Sequence, residues 1–251
     1  MPRTIIAHRG LSAVAPENTL IAIGSCAENG VSWFETDVDI IGDGTPVVIH
    51  DSLLDRTTNR AGSIYNLSVE DLKDIDAGAW FGREYRGQKL PTLAQLVELM
   101  NQKKLNGNIE LKPTELGAKK ALQLIDAVIA ELDNLDSDRE VIVSSFDLLA
   151  LAEFKRRAPQ YRVAALMTPE MLASNWRTML ELIGAEVIHP EHTALTPQLV
   201  QSIKDAGFQI NTWTVNSRAR ANELFNWGVD GVITDFAHEY TDLTKVSSPR
   251  T

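Results

Sequence analysis

Two histidines and three carboxylates in this chain each close a short apolar run. They are His8 in Ala7-His8-Arg9-Gly10, the pair in Glu35-Thr36-Asp37, His50 in Ile49-His50-Asp51, and Glu110 in Ile109-Glu110-Leu111-Lys112. Such runs read as β-strands, and a parallel α/β barrel collects its catalytic groups at strand ends. Strand residues alternate faces, so Glu35 and Asp37 project together, as do Glu110 and Lys112. Asp39 shares the parity of the first pair but lies further along, outside the expected ligand set. Any one of these acids alone would read as a salt-bridge partner. Buried together they repel, and a cation between them relieves that cost. Oxygen donors favour a hard ion, so the expected cofactor is one divalent cation, Mg²⁺ or Ca²⁺, on Glu35, Asp37 and Glu110. His8 and His50 at the same mouth suit general acid–base chemistry near neutral pH. Arg9 can grip phosphate oxygens in a bidentate way, and Lys112 can act as a point charge. The expected partner is therefore an anionic small molecule, with phosphate the first candidate.

Other residues of the same types read as structural. His189 also ends an apolar run, but no acidic pair accompanies it; His192 follows in a loop and His238 falls in the last expected helix. Pro16-Glu17-Asn18-Thr19 reads as a helix entry, with Pro16 as a rigid turn, Asn18 as the cap and Glu17 bracing Arg9. Trp213 shares parity with Asn211 and is either core or an apolar wall against a substrate. Cys26, in an apolar helical pattern, is expected to be core packing.

These groups need a frame, and the pattern supplies one. Strands are expected over 4–7, 33–41, 46–49, 108–111, 141–144, 162–166, 186–189, 209–214 and 231–234. Helices are expected over 18–28, 93–101 (with Thr92 as cap), 116–132, 148–157, 171–183, 197–206 and 218–227. Regular alternation implies a parallel sheet. Counting 33–50 as one interrupted unit gives eight βα units, which close into a (β/α)8 TIM barrel more readily than they form an open sheet. The alternative, a doubly wound sheet, is weakened because no Gly-x-Gly-x-x-Gly follows the first strand. The whole chain, 1–251, is expected to be one domain. Residues 52–90 break the rhythm and read as a small insertion with a short helix over 69–75 capped by Ser68. Trp80, Phe81 and Tyr85 would pack that insertion or cover the barrel mouth. The tail after Tyr240 is expected to fray.

Composition fits this frame. The length suits one barrel, and 44 % apolar residues leave material for a large core. A net charge of −10 argues against nucleic acid or an anionic membrane as partner. An anionic substrate must then meet positive charge supplied locally. One cysteine forbids an internal disulfide. No secretory pattern opens the chain, and no apolar run approaches the ~20 residues of a membrane span. The expected location is the cytoplasm; oligomeric state is left open.

The ordered set of motifs has a known counterpart. His8-Arg9-Gly10, Pro16-Glu17-Asn18-Thr19, Glu35-x-Asp37, His50-Asp51 and Glu110-Leu111-Lys112-Pro113 resemble the signature of glycerophosphodiester phosphodiesterases. Ser145-Phe146, Trp213-Thr214-Val215-Asn216, and Gly228-Val229-Asp230-Gly231 with Thr234-Asp235 continue the likeness over nearly the whole chain, most of all to the short bacterial cytosolic branch. The resemblance implies a (β/α)8 barrel with a small insertion after the second strand, and hydrolysis of glycerophosphodiesters to sn-glycerol 3-phosphate and an alcohol. It implies a divalent cation on Glu35, Asp37 and Glu110, His8 and His50 as the acid–base pair, and Arg9 and Lys112 on phosphate. By analogy with related barrel phospholipases, His8 would take the proton of the glycerol 2-hydroxyl and His50 would protonate the departing alcohol. That route gives a cyclic phosphate; direct attack by water is the rival. Two further readings are a lysophospholipase D, which needs an apolar groove, and a barrel that binds without cleaving, which should lack a histidine or an acid. None is missing.

Overall fold

The computed structural model describes residues 3–113, 115–172 and 174–244. Among these residues there are nine strands: β1 (Thr4–His8), β2 (Trp33–Ile40), β3 (Pro46–Val48), β4 (Asn106–Leu111), β5 (Val141–Ser145), β6 (Arg162–Met167), β7 (Val187–Pro190), β8 (Gln209–Thr212) and β9 (Gly231–Thr234). Eight are parallel and close into a ring, because β1 pairs with β2, His8 opposite Glu35, and with β9, Ala7 opposite Thr234. The extra strand, β3, folds back antiparallel on β2. The chain is a TIM barrel.

Among the described residues, seven α-helices surround the ring: α1 (Leu20–Glu28), α2 (Leu93–Lys103), α3 (Ala118–Leu132), α4 (Leu148–Arg157), α5 (Trp176–Ile183), α6 (Pro197–Asp205) and α7 (Arg218–Trp227). After β9 the chain makes two 3-10 turns, Ala237–Glu239 and Thr241–Thr244, so His238 sits in a turn and not in a long helix. Residues 245–251 of the tail lie outside the described residues. Among the described residues, no helix is long and apolar enough to cross a membrane.

Three helices, α1, α3 and α5, start later than the periodicity predicts. Gly117, at φ +79°, holds the position before Ala118. Asn175 stands at the cap position of α5 without a side-chain cap hydrogen bond. At α1 the cap is Thr19, whose Oγ1 accepts from Ala22 N at 3.3 Å; Asn18 is not the cap but sits in the left-handed region at φ +57°. Thr92 does cap α2, in a reciprocal box with Gln95.

Period-two alternation divides each strand between two environments. Ile5 and Ala7 of β1, Phe34 and Val38 of β2, and Ile109 and Leu111 of β4 face the helices in one large core. The opposite faces line the barrel interior. At its N-terminal end Trp33 packs on Ile142, Ala164 and Val187. Above them lies a buried polar layer, in which Asn108 Nδ2 donates to Ser144 Oγ at 2.9 Å and Asn211 Nδ2 to His189 Nε2 at 3.1 Å. Burial, then the charge of Arg162, pushes the His189 pKa down to about 3, so this histidine is a neutral core residue. Cys26 is likewise core, its thiol pushed up to about 12 by burial.

Between β3 and α2 the chain builds three 3-10 turns, Ile64–Asn66, Val69–Asp74 and Arg83–Tyr85. The expected helix over 69–75 is the second of these, entered where Ser68 N donates to Asp71 Oδ2 at 2.8 Å. Leu54, Ile64, Leu72, Ile75 and Leu90 form a small core there with Ile41, Val47 and Ile49. Trp80, Phe81 and Tyr85 stack edge to face at 5.6 and 5.4 Å, and Tyr85 Oη donates to Val14 O at 2.6 Å. They pack this segment and tie it to the loop after β1.

Candidate active site

The C-terminal end of the barrel holds a cavity of about 210 Å³ lined by His8, Arg9, Glu35, His50, Asn108, Glu110, Phe146, Leu166, Trp213, Thr214 and Ile233. Six of the eight residues singled out in the sequence thus share one space. The other two lie against its wall. Asp37 is buried, and Lys112 reaches back to it at 3.2 Å and to Glu110 at 2.8 Å. Trp213 is half-buried at the cavity: its Nε1 donates to His189 O at 2.7 Å, and its ring packs edge to face on Phe146 at 5.5 Å.

The acids converge because β1, β2 and β4 are neighbours and their inward residues come into register, Asp37 opposite Glu110. One oxygen from each of Glu35, Asp37 and Glu110 lies within 4.8 Å of the others. Burial, then the charge of Asp37, raises the pKa of both Glu35 and Glu110. Asp37 is pushed down instead, because Lys112 and Arg9 together outweigh its burial. Three carboxylates therefore face two cationic side chains, and negative charge is left over. A compact set of three buried carboxylate oxygen donors with uncompensated charge fits a hard divalent cation.

The loop after β1 is bent to serve this cluster. Arg9, at φ +55°, turns its backbone N–H to Glu35 Oε2 at 3.1 Å. Its guanidinium meets Glu17 Oε1 at 2.7 Å and lies 3.3 Å from Asp37 Oδ2. The expected bracing of Arg9 by Glu17 is present. Asn18 donates from Nδ2 to Asp37 Oδ2 at 2.8 Å and accepts at Oδ1 from Thr36 Oγ1 at 2.6 Å. Two non-glycine residues in the left-handed region, both on the acid cluster, are the kind of local strain that collects at functional sites.

Each imidazole is held by an acid outside the set that strand periodicity singles out. His8 Nδ1 lies 2.7 Å from Asp235 Oδ1, and Asp235 also accepts from Ser12 Oγ at 3.1 Å and Asn216 Nδ2 at 2.5 Å. His50 Nδ1 lies 2.6 Å from Asp51 Oδ1. In both, Nδ1–H donates to a carboxylate and Nε2 remains for proton transfer. Burial lowers the His8 pKa, but the Asp235 hydrogen bond and the charge of Glu35 outweigh it, and the net direction is up. For His50 burial prevails over the charge of Asp37, and the net direction is down. Asp235, directly after β9, is a carboxylate at a strand end, the same signal that Glu110 carries near the end of β4.

Known proteins resemble this chain in sequence and fold. Residues 8–239 match the model of the Glycerophosphoryl diester phosphodiesterase family. A glycerophosphodiester phosphodiesterase of Caldanaerobacter subterraneus subsp. tengcongensis is 34 % identical over 245 residues, 98 % of this chain and 99 % of that protein. One from Bacillus subtilis is 30 % identical over 252 residues, covering 96 % and 86 %. Among solved structures, an Oleispira antarctica phosphodiesterase in complex with the product sn-glycerol-3-phosphate superposes with a TM-score of 0.90 at 34 % identity, covering 95 % of each chain. With the match opening at His8 and spanning every residue of the cavity, the chain belongs to the glycerophosphoryl diester phosphodiesterase family and is an enzyme of phosphodiester hydrolysis.

Proposed function

We propose that this enzyme hydrolyses glycerophosphodiesters to sn-glycerol 3-phosphate and an alcohol, using one divalent cation, Mg²⁺ or Ca²⁺, and His8 and His50 as the acid–base pair. The observation that carries the reading is that both imidazoles line the same cavity as Glu35 and Glu110, each with Nδ1 on a carboxylate so that Nε2 is left for proton transfer, His8 Nε2 lying 4.0 Å from Glu35 Oε2. The product bound by the Oleispira antarctica relative supports the choice of substrate. Glu35, Asp37 and Glu110 would hold the cation, which when bound neutralises phosphate charge and lowers the cost of an alkoxide.

The chain's own residues do the rest. His8 Nε2 takes the proton of the glycerol 2-hydroxyl, whose oxygen attacks phosphorus. His50 Nε2 gives a proton to the alcohol oxygen as the P–O bond to it breaks. Water then opens the cyclic phosphate with the two roles exchanged. The high affinity of His8 for its proton in the free chain owes part to Glu35. The cation would offset that charge and so favour the neutral imidazole that a first base requires. Arg9 at the cavity edge binds a phosphate oxygen. Lys112 balances charge behind Glu110 and Asp37 and orients toward phosphate when it is present. Trp213, with Phe146, walls the apolar side. Residues 1–251 act as one domain with 52–90 as its insertion, in the cytoplasm.

Release of glycerol 3-phosphate from glycerophosphocholine tests this. His8→Ala and His50→Ala should each lose ~10²–10⁴-fold in kcat with the fold retained. Phosphorus NMR of slow turnover should show a cyclic phosphate. Full activity in either variant removes the histidine assignment, and product formed with no cyclic species favours direct attack by water.

A further inference from the structure

Arg56 touches no part of the cavity and its side chain is 46 % exposed, yet it joins two halves of the site. Its Nη1 and Nη2 lie 2.8 Å from Glu17 Oε2 and 2.8 Å from Glu17 Oε1. Its Nε lies 2.6 Å from Asp51 Oδ2, and Nη2 also reaches Asp51 Oδ1 at 3.2 Å. Asp51 Oδ1 is the atom that holds His50 Nδ1, and Glu17 Oε1 is the atom that holds Arg9 Nη1. An unbroken series of charge-assisted contacts therefore runs from His50 through Asp51, Arg56 and Glu17 to Arg9. The turn carrying Arg56 is anchored: Leu54 is buried in the small core, Thr57 is buried, and Thr58 N donates to Leu54 O at 3.1 Å.

We propose that Arg56 is a positioning residue, whose two guanidinium edges fix the Asp51 and Glu17 carboxylates and thereby set the His50 imidazole and the Arg9 guanidinium relative to one another. This rests on the roles of His50 and Arg9 proposed above. A carboxylate that orients an imidazole must itself be held against rotation, and a bidentate fork does that where a point charge does not. It also gives the segment over 52–90 a task. None of its residues lines the cavity, so it acts on the reaction by aligning groups and not by covering them.

The test uses Arg56→Ala, Arg56→Lys, Asp51→Ala and the Asp51→Ala/Arg56→Ala pair, assayed on glycerophosphocholine with saturating Mg²⁺ or Ca²⁺ and checked by thermal melting. Misplacing a catalytic group by about 1 Å costs on the order of 10²-fold. Arg56→Ala should therefore lose about 10–100-fold in kcat while its melting midpoint stays within a few degrees of the parent. Millimolar guanidinium should restore part of that loss, and Arg56→Lys, which keeps the charge without the fork, should remain well below the parent. The pair should lose less than the product of its single losses, because both changes act through His50. An Arg56→Ala enzyme of parental kcat, full rescue by Arg56→Lys, or strictly multiplicative losses in the pair would each overturn the inference. Should Arg56→Ala unfold, Arg56→Lys and guanidinium rescue of Arg56→Gln take its place: partial activity in both supports the inference, and parental kcat in either overturns it. His50→Ala, run alongside, separates the two levels. If it is active the underlying assignment of His50 fails, and if it is inactive while Arg56→Ala is fully active only the role of Arg56 fails.

Discussion

Nδ1 of each imidazole is committed to a carboxylate, and that fixes what the residue can do. Asp235 holds its own charge because the hydrogen bonds it accepts from His8, Ser12 and Asn216 outweigh the burial that would raise it. Asp235→Asn removes that charge and offers His8 an amide that can present the wrong partner. It should cost about 10–100-fold in kcat, as loss of an orienting carboxylate typically does. Because the Asp235 contact raises the His8 pKa, the kinetic limb belonging to His8 should move to lower pH in the variant. A pH profile of kcat/KM checks the direction, and a limb that stays put argues against the pairing. At this scale the sequence was partly legible. His8 and His50 were visible as strand-end histidines, and Asp51 was adjacent to one of them. Asp235 lies 227 positions from His8, and only closure of β1 on β9 makes them neighbours. Periodicity reports which face a residue takes and not which strand stands beside it.

The element that does most for the site is the loop between β1 and α1. Arg9 and Gly10 both adopt positive φ, and a Cβ on Gly10 would stand 2.7 Å from the Ala22 carbonyl carbon and 2.8 Å from Ile23 N. Close packing of the loop on α1 is what aims the Arg9 amide at Glu35. Gly10→Ala should therefore cost about 2 kcal/mol or more. That would lower the melting midpoint by about 4–8 °C for a chain of this size. Activity should fall with it, and a variant that melts and turns over like the parent would show that the loop tolerates a side chain. Asn18 shows why this element was harder to read. Asn and Thr are both good caps, so Asn18-Thr19 left the helix start ambiguous. The decision came from Thr36 and Asp37 on β2, which hold the Asn18 amide in the loop before α1.

Across the whole molecule the barrel interior grades from apolar at Trp33, through the buried layer around His189, to the charged cluster at the opposite end. The alternation of strands and helices made the barrel legible because each βα unit repeats the same pattern. The alignment supplied by Arg56 was not, since it depends on side chains reaching between the segment after β3 and the loop after β1. The neutral His189 also sets an acid limit. Its pKa lies near 6.5 in the unfolded chain and about 3 in the folded one, so the unfolded chain binds the extra proton between those values. Stability is full above pH 6.5 and falls as pH drops, with a contribution of up to about 1.4 kcal/mol per unit. Urea midpoints measured from about pH 7 to pH 5 should fall less steeply in His189→Gln, and equal slopes would place the proton elsewhere. The proposed reaction rests on a single ion-dependent hydrolytic centre. The most direct measurement is glycerol 3-phosphate release from glycerophosphocholine by the chelator-stripped enzyme, before and after Mg²⁺ or Ca²⁺ is restored. Release should be nearly abolished without the ion and should recover on adding it back, with Glu110→Gln requiring more; undiminished release in excess chelator would contradict the account.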